Sequence, residues 1–163
     1  METQVDSGLL LDFFLTFSRF EYALKATEFH KRHPEKPPKF PPAEPDWDRF
    51  AVSLRDTFDA GASSELTEAC KYLLDSPPNQ QVICGEVPAW ETPVRAESDA
   101  NIDFLIRMVR LVRNNLFHGG KHNVELHEGT ERTEKLLKCS LIILQACLNI
   151  APNQMTAYEH AYL

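Results

Sequence analysis

Cysteine is scarce and spaced without pairs: the 163-residue chain holds four, Cys70, Cys84, Cys139 and Cys147, and no CxxC among them. That spacing reads as a set of reduced thiols rather than a disulfide framework. Cys139 and Cys147 stand in the apolar run "LLKCSLIILQACL", where a thiol serves as a small buried side chain, and the same packing role is expected of all four. Positive charge is short as well, with 17 Lys and Arg against 24 Asp and Glu and a net charge of -7. This excludes a protein that coats nucleic acid through a broad basic surface, so any nucleic-acid contact must be local. No apolar run approaches the about 20 residues of a membrane-spanning helix. The nearest, "GLLLDFFLTF" from Gly8 to Phe17, is interrupted by Asp12. No N-terminal stretch combines a basic region, an apolar core and a small-residue cleavage site, and the expected location is the cytoplasm, away from any membrane. Strand-like alternation and internal repeats are missing too.

What is present is 43% hydrophobic and 25% charged residues, the composition of one soluble globular domain covering 1–163. A chain of this length buries roughly 70% of the surface it exposes when unfolded, so its core requires neither metal nor disulfide. From Ser7 to Arg32, apolar residues at Leu10, Phe13, Phe14, Phe17, Phe20, Ala23 and Leu24 follow the three-and-four spacing of one long helix, with Ser7 as its N-cap. "PEKPPKFPPAEP" then places six prolines in twelve residues and ends helical structure. A stiff connection across the end of a bundle is expected there, in preference to a polyproline docking segment. "DWDRFAVSLRDTFD" and "SSELTEACKYLLD" predict two shorter helices. "SPPNQQVICGEVPAWETPVRAES" has no sustained period and predicts a loop anchored to the core by Trp90. Two long helices follow, from about Asp99 to Phe117 and from about Glu128 to Ile150, joined by a turn containing Gly119, Gly120 and Gly129. The expected architecture is an all-α, up-down bundle of four or five helices with long proline-rich connecting loops.

The fourth of these segments ends in "VRNNLFHGG", residues 112–120. At about 100° per residue with Val109 at zero, Ile102, Leu105, Ile106, Val112 and Leu116 fall within about 60° on either side and form the core stripe. Asp103, Arg107, Arg110, Asn114 and His118 form a polar ridge between about 100° and 180°. Arg113 falls at about 40°, inside the apolar arc, where an unpaired guanidinium is costly to desolvate. Arg113 and His118 lie about 140° apart around a straight helix. They converge only where the Gly119-Gly120 end unwinds, or where two chains meet across a two-fold axis. The alternative to a site is that Arg113 snorkels outward while His118 caps the helix.

The arrangement Arg113-Asn114-Asn115-Leu116-Phe117-His118 resembles the R-x4-6-H motif of the HEPN superfamily, the higher eukaryotes and prokaryotes nucleotide-binding domains. The first-helix stretch "SRFEYALK", Ser18 to Lys25, and the late position of the motif in a helical chain agree with it. The resemblance implies a homodimer of helical bundles in which two motifs make one composite site. It also implies a metal-independent endoribonuclease of toxin-antitoxin or antiviral-defence systems, paired with an antitoxin or regulatory protein. In some relatives the motif continues to a tyrosine two residues past the histidine; Gly120 stands there in this chain. Relatives without catalysis imply the other outcome, a module that binds RNA, nucleotide or protein without cutting.

The residue types suit the chemistry. An imidazole with an ordinary pKa of about 6.5, here His118, serves as general base or acid. Arg113 offers a bidentate fork to the phosphate, and Asn114 donates through its amide. With two copies, one His118 takes the 2′-hydroxyl proton while the other protonates the leaving 5′-oxygen, which leaves a 2′,3′-cyclic phosphate. Arg107, Arg110, Lys121 and His122 are the expected RNA-binding rim. His118, His122 and His127 lack the ligand spacing of a metal site, so no metal or cofactor is expected. Phe117 is expected in the core rather than as a stacking surface for bases.

Overall fold

The computed structural model describes residues 4–32, 41–117 and 129–161. Among these residues six helices and one antiparallel hairpin follow in the order α1 (Ser7–Lys25), α2 (Trp47–Ser53), α3 (Ser64–Asp75), β1 (Gln80–Cys84), β2 (Val87–Glu91), α4 (Asn101–Phe117), α5 (Thr130–Asn149) and α6 (Pro152–Glu159). The expected all-α bundle of four or five helices is therefore corrected twice: a sixth helix closes the fold, and a two-stranded sheet stands where a loop was expected.

Each correction has a local cause. Helix α1 begins one residue after its cap, because the Asp6 carboxylate, rather than the Ser7 hydroxyl, accepts from the Leu9 N–H at 2.7 Å. It ends at Lys25 instead of Arg32, where the Thr27 hydroxyl donates to the carbonyls of Ala23 and Leu24 and the chain turns. Beyond that turn Phe29 folds back, buried, edge-on to Phe50 at 5.2 Å. The flanks of the proline-rich connection meet: Lys31 N–H donates to the Glu44 carbonyl and Asp46 N–H to the Phe29 carbonyl. Helix α6 starts on Pro152, which fits a first helical turn because its missing N–H has no partner to lose there.

The hairpin turns on Gly85 and Glu86, with Gly85 at φ 66°, the left-handed conformation that the first position of such a turn demands. Its register pairs Cys84 with Val87, Ile83 with Pro88, Val82 with Ala89, Gln81 with Trp90 and Gln80 with Glu91.

The core is continuous across the helices. An aromatic group from α1 and α2 forms one end, with Phe20 stacked on Trp47 at 5.0 Å and edge-on to Phe50 at 5.4 Å. Phe104, Leu105, Ile106, Met108, Val109 and Val112 of α4 are buried, as are Leu137, Ile143, Leu144 and Cys147 of α5. Helix α5 packs on α1, α3, α4 and α6, while α2 lies against α4. Three cysteines occupy the packing role expected of them, but Cys84 is exposed on the hairpin. No single described helix is long and apolar enough to cross a membrane.

Candidate functional site at the end of helix α4

Helix α4 is amphipathic, and its buried stripe fixes where its polar side chains emerge. Arg107, Arg110 and Asn114 come out on the solvent side, as the wheel requires. The first two do not stand as free cations. Arg110 Nη1 binds Asp48 Oδ1 at 3.0 Å, and Arg107 lies 3.9 Å from Asp99 Oδ2 with its guanidinium 5.1 Å from the Phe104 ring. Asp103, at the start of the same ridge, is held by Arg55.

Arg113 behaves differently. It is half-buried between the two faces, with its guanidinium carbon 5.8 Å from the Phe17 ring and 5.3 Å from the Phe117 ring. Its hydrogen bond goes to the Asn114 side-chain carbonyl, at 3.2 Å. Among the described residues no carboxylate forms an ion pair with it. The expected conflict between a cation and the apolar arc is relieved by aromatic faces, which attract a guanidinium electrostatically while leaving its donors available.

Arg113, Asn114 and Arg110 open onto a recess of about 210 Å³ whose far wall carries Lys31, Glu44 and Glu21. Lys31 and Glu44 are paired at 2.9 Å, which raises the lysine's pKa through the hydrogen bond and charge of Glu44. These three residues escaped sequence reasoning. They sit on α1 and on the flanks of the proline-rich connection, and no local pattern links them to a motif more than 60 residues away.

One neighbour of Arg113 differs from expectation. Phe117 is 48% exposed instead of lying in the core, and its ring meets that of Phe14, 43% exposed, at 5.6 Å. Asn115 turns away from the recess and donates its side-chain N–H to the Asn79 carbonyl at 2.8 Å, at the foot of the hairpin. The remaining sequence-derived site residues, His118, Lys121 and His122, lie outside the described residues, as does His127. Among the described residues no group of three His, Cys, Asp or Glu is placed to hold a metal ion.

The arrangement can do a limited set of things. Arg113 and Asn114 together present a planar cation and an amide at the last turn of α4, one residue pair before Phe117 and His118. Such a pair grips a phosphate or carboxylate in a fixed orientation. The chain matches no family model, no curated protein and no solved structure.

Proposed function

We propose that the protein is a metal-independent endoribonuclease of the HEPN type, working as a homodimer with a composite site and serving as a toxin or antiviral-defence effector. The observation that carries this reading is Arg113: half-buried, positioned by two phenylalanine rings and bound to Asn114, without a carboxylate partner among the described residues. A guanidinium held in place but not neutralised suits transition-state charge on a phosphate, because little reorganisation is needed when that charge develops. In this mechanism Arg113 and Asn114 fix the scissile phosphate, and His118 moves the protons. One His118 removes the 2′-hydroxyl proton, the oxygen attacks phosphorus, and the second His118 protonates the departing 5′-oxygen. Arg110, Arg107, Lys121 and His122 form the rim that receives flanking phosphates. An antitoxin or other regulatory protein holds the site in check in the cell.

A second reading, a non-catalytic module that binds RNA, nucleotide or protein, is favoured by a separate observation. Arg107 and Arg110 are already paired with Asp99 and Asp48, and the exposed Phe14–Phe117 pair offers apolar surface at the end of the same helix. One experiment separates the two: mixed cellular RNA incubated in EDTA with the wild type, Arg113→Ala and His118→Ala. Cleavage by the wild type alone supports the nuclease, whereas RNA left intact by all three supports the binding module.

A further inference from the structure

The two edges of the hairpin differ among the described residues. Cys84 and Val87 flank its two-residue turn and form a hydrogen-bonded pair, so the pairs alternate outward from there. Ile83 with Pro88 and Gln81 with Trp90 are then the pairs whose main-chain N–H and C=O groups face away from the ladder. On β2 the outward donor at position 88 is missing because the residue is proline, and Glu91 puts a charge at the far end of the same strand. Among the described residues nothing equivalent protects the edge of β1. "QQVIC" has no proline, no charge and no bulge, and neither Gln81 nor Ile83 has a hydrogen bond beyond the ladder among the described residues. Ile83 and Val87 are 68% and 66% exposed. A lone two-stranded hairpin is marginal in water, and further strands stabilise it.

We propose that β1 is an assembly edge, paired antiparallel across a two-fold axis with β1 of a second copy of this chain to make a four-stranded sheet. The occupant follows from the strand itself. With the axis at Val82, the outward groups of Gln81 meet those of Ile83 in the second copy, and the reverse, so all four outward residues are bonded. Shifting the register by one pair in either direction sends one of them beyond the strand. An uncharged strand pairs with itself without like-charge repulsion, which a net charge of -7 would impose on most other faces of two copies. The edge is also tied to the end of α4. The axis stands three residues, roughly 10 Å of strand, from the Asn79 carbonyl that Asn115 holds. The pairing therefore sets the ends of both α4 helices near one axis. It stands without the nuclease reading, and where that reading holds it supplies the contact that brings two motifs together.

The test is a cross-link with a measurement of mass. In this register Gln80 faces Cys84 of the second copy in a close, non-hydrogen-bonded pair, so Gln80→Cys is expected to form an intermolecular disulfide under mild oxidation. Adding Cys84→Ser is expected to abolish it. Sedimentation across a micromolar concentration series is expected to show dimerisation by the wild type, weakened roughly tenfold or more by Ile83→Pro. Ile83→Pro removes the outward donor and spares the β1–β2 ladder, and Ile83→Lys, which keeps the backbone, is expected to act in the same direction. A wild type that remains at 18.6 kDa throughout overturns the proposal. So does a dimer that survives both Ile83 variants without the disulfide, an outcome that leaves a composite site on another face intact. The disulfide together with RNA untouched in EDTA upholds the edge and rejects the nuclease.

Discussion

The side-chain amide of Asn115 donates to the main-chain carbonyl of Asn79 at 2.8 Å, joining the last turn of α4 to the foot of the hairpin. A second bond, from the Thr92 hydroxyl to the Asn79 side-chain oxygen at 2.9 Å, closes the foot from the other strand. Arg132 of α5 adds a third tie by donating to the Pro77 carbonyl at 2.8 Å. The hairpin is thus placed by polar contacts at its base, while its tip stands in solvent. Three segments distant in sequence converge beside the residue that follows Asn114.

If Asn115 acts as this anchor, Asn115→Ala loosens the hairpin without unfolding the core. One hydrogen bond lost from a half-buried site costs about 1 kcal/mol, which for a domain of this size is a fall in Tm of roughly 2–4 °C. Amide hydrogen exchange checks the location: faster exchange is expected across Gln80 to Glu91, with Leu137 and Val109 unchanged. Equal acceleration in all three places would mean that the bond stabilises the whole fold and not the hairpin.

Much of this architecture was legible, and the failures have specific causes. The stripe from Ile102 to Val112 is buried as its spacing requires, because one face of α4 meets the core and the other meets water. The hairpin left no such trace: strands exposed on both faces have no reason to alternate, and Pro88 interrupts the second run. The two-residue turn at Gly85-Glu86 was the signal available. Arg113 stood out as a cation on the wrong side, but its ring partner Phe17 comes from α1, 96 positions earlier. Periodicity describes one helix and carries no information about what another brings to it.

The thiols give a prediction independent of function. Burial pushes Cys70 up to about 11 and raises Cys139 and Cys147 in the same direction. A buried thiol disfavours thiolate in the folded state, so its contribution to stability is complete below the ordinary value of 9.0 and is lost as the pH climbs toward and through about 11. At about pH 8 a thiol reagent is expected to label one cysteine in the folded protein and four after denaturation. Cys84→Ser is expected to remove the native reactivity. Rapid native labelling of Cys147 would show that α5 opens far more readily than its packing implies.

The pair between Arg110 and Asp48 tests the rim. Asp48 is 91% exposed, so the pair adds little to stability, and Asp48→Asn is expected to change it by less than about 1 kcal/mol. Freed from its carboxylate, Arg110 becomes available to a phosphate. Single-stranded RNA is then expected to bind several-fold more tightly at low salt, with a steeper loss of affinity as salt rises. Unchanged affinity and salt slope would place the RNA path away from Arg110.

Arg113 bears the sharpest prediction, because its geometry separates shape from charge. Lysine would keep the charge but lose the planar face that lies near Phe17 and Phe117 and the fork that can hold two phosphate oxygens. Arg113→Ala and Arg113→Lys are both expected to lower RNA cleavage by roughly a hundredfold, the scale of losing one positioned donor to transition-state charge. The loss is expected in kcat, with KM nearly unchanged, since the interaction strengthens as charge develops on the phosphate. Circular dichroism and Tm are expected to stay close to wild type, because the half-buried guanidinium forms no ion pair among the described residues whose removal would strand a buried charge. Full activity in Arg113→Lys, with loss only in Arg113→Ala, would reduce the role of this residue to charge and remove the reason for its place between the rings.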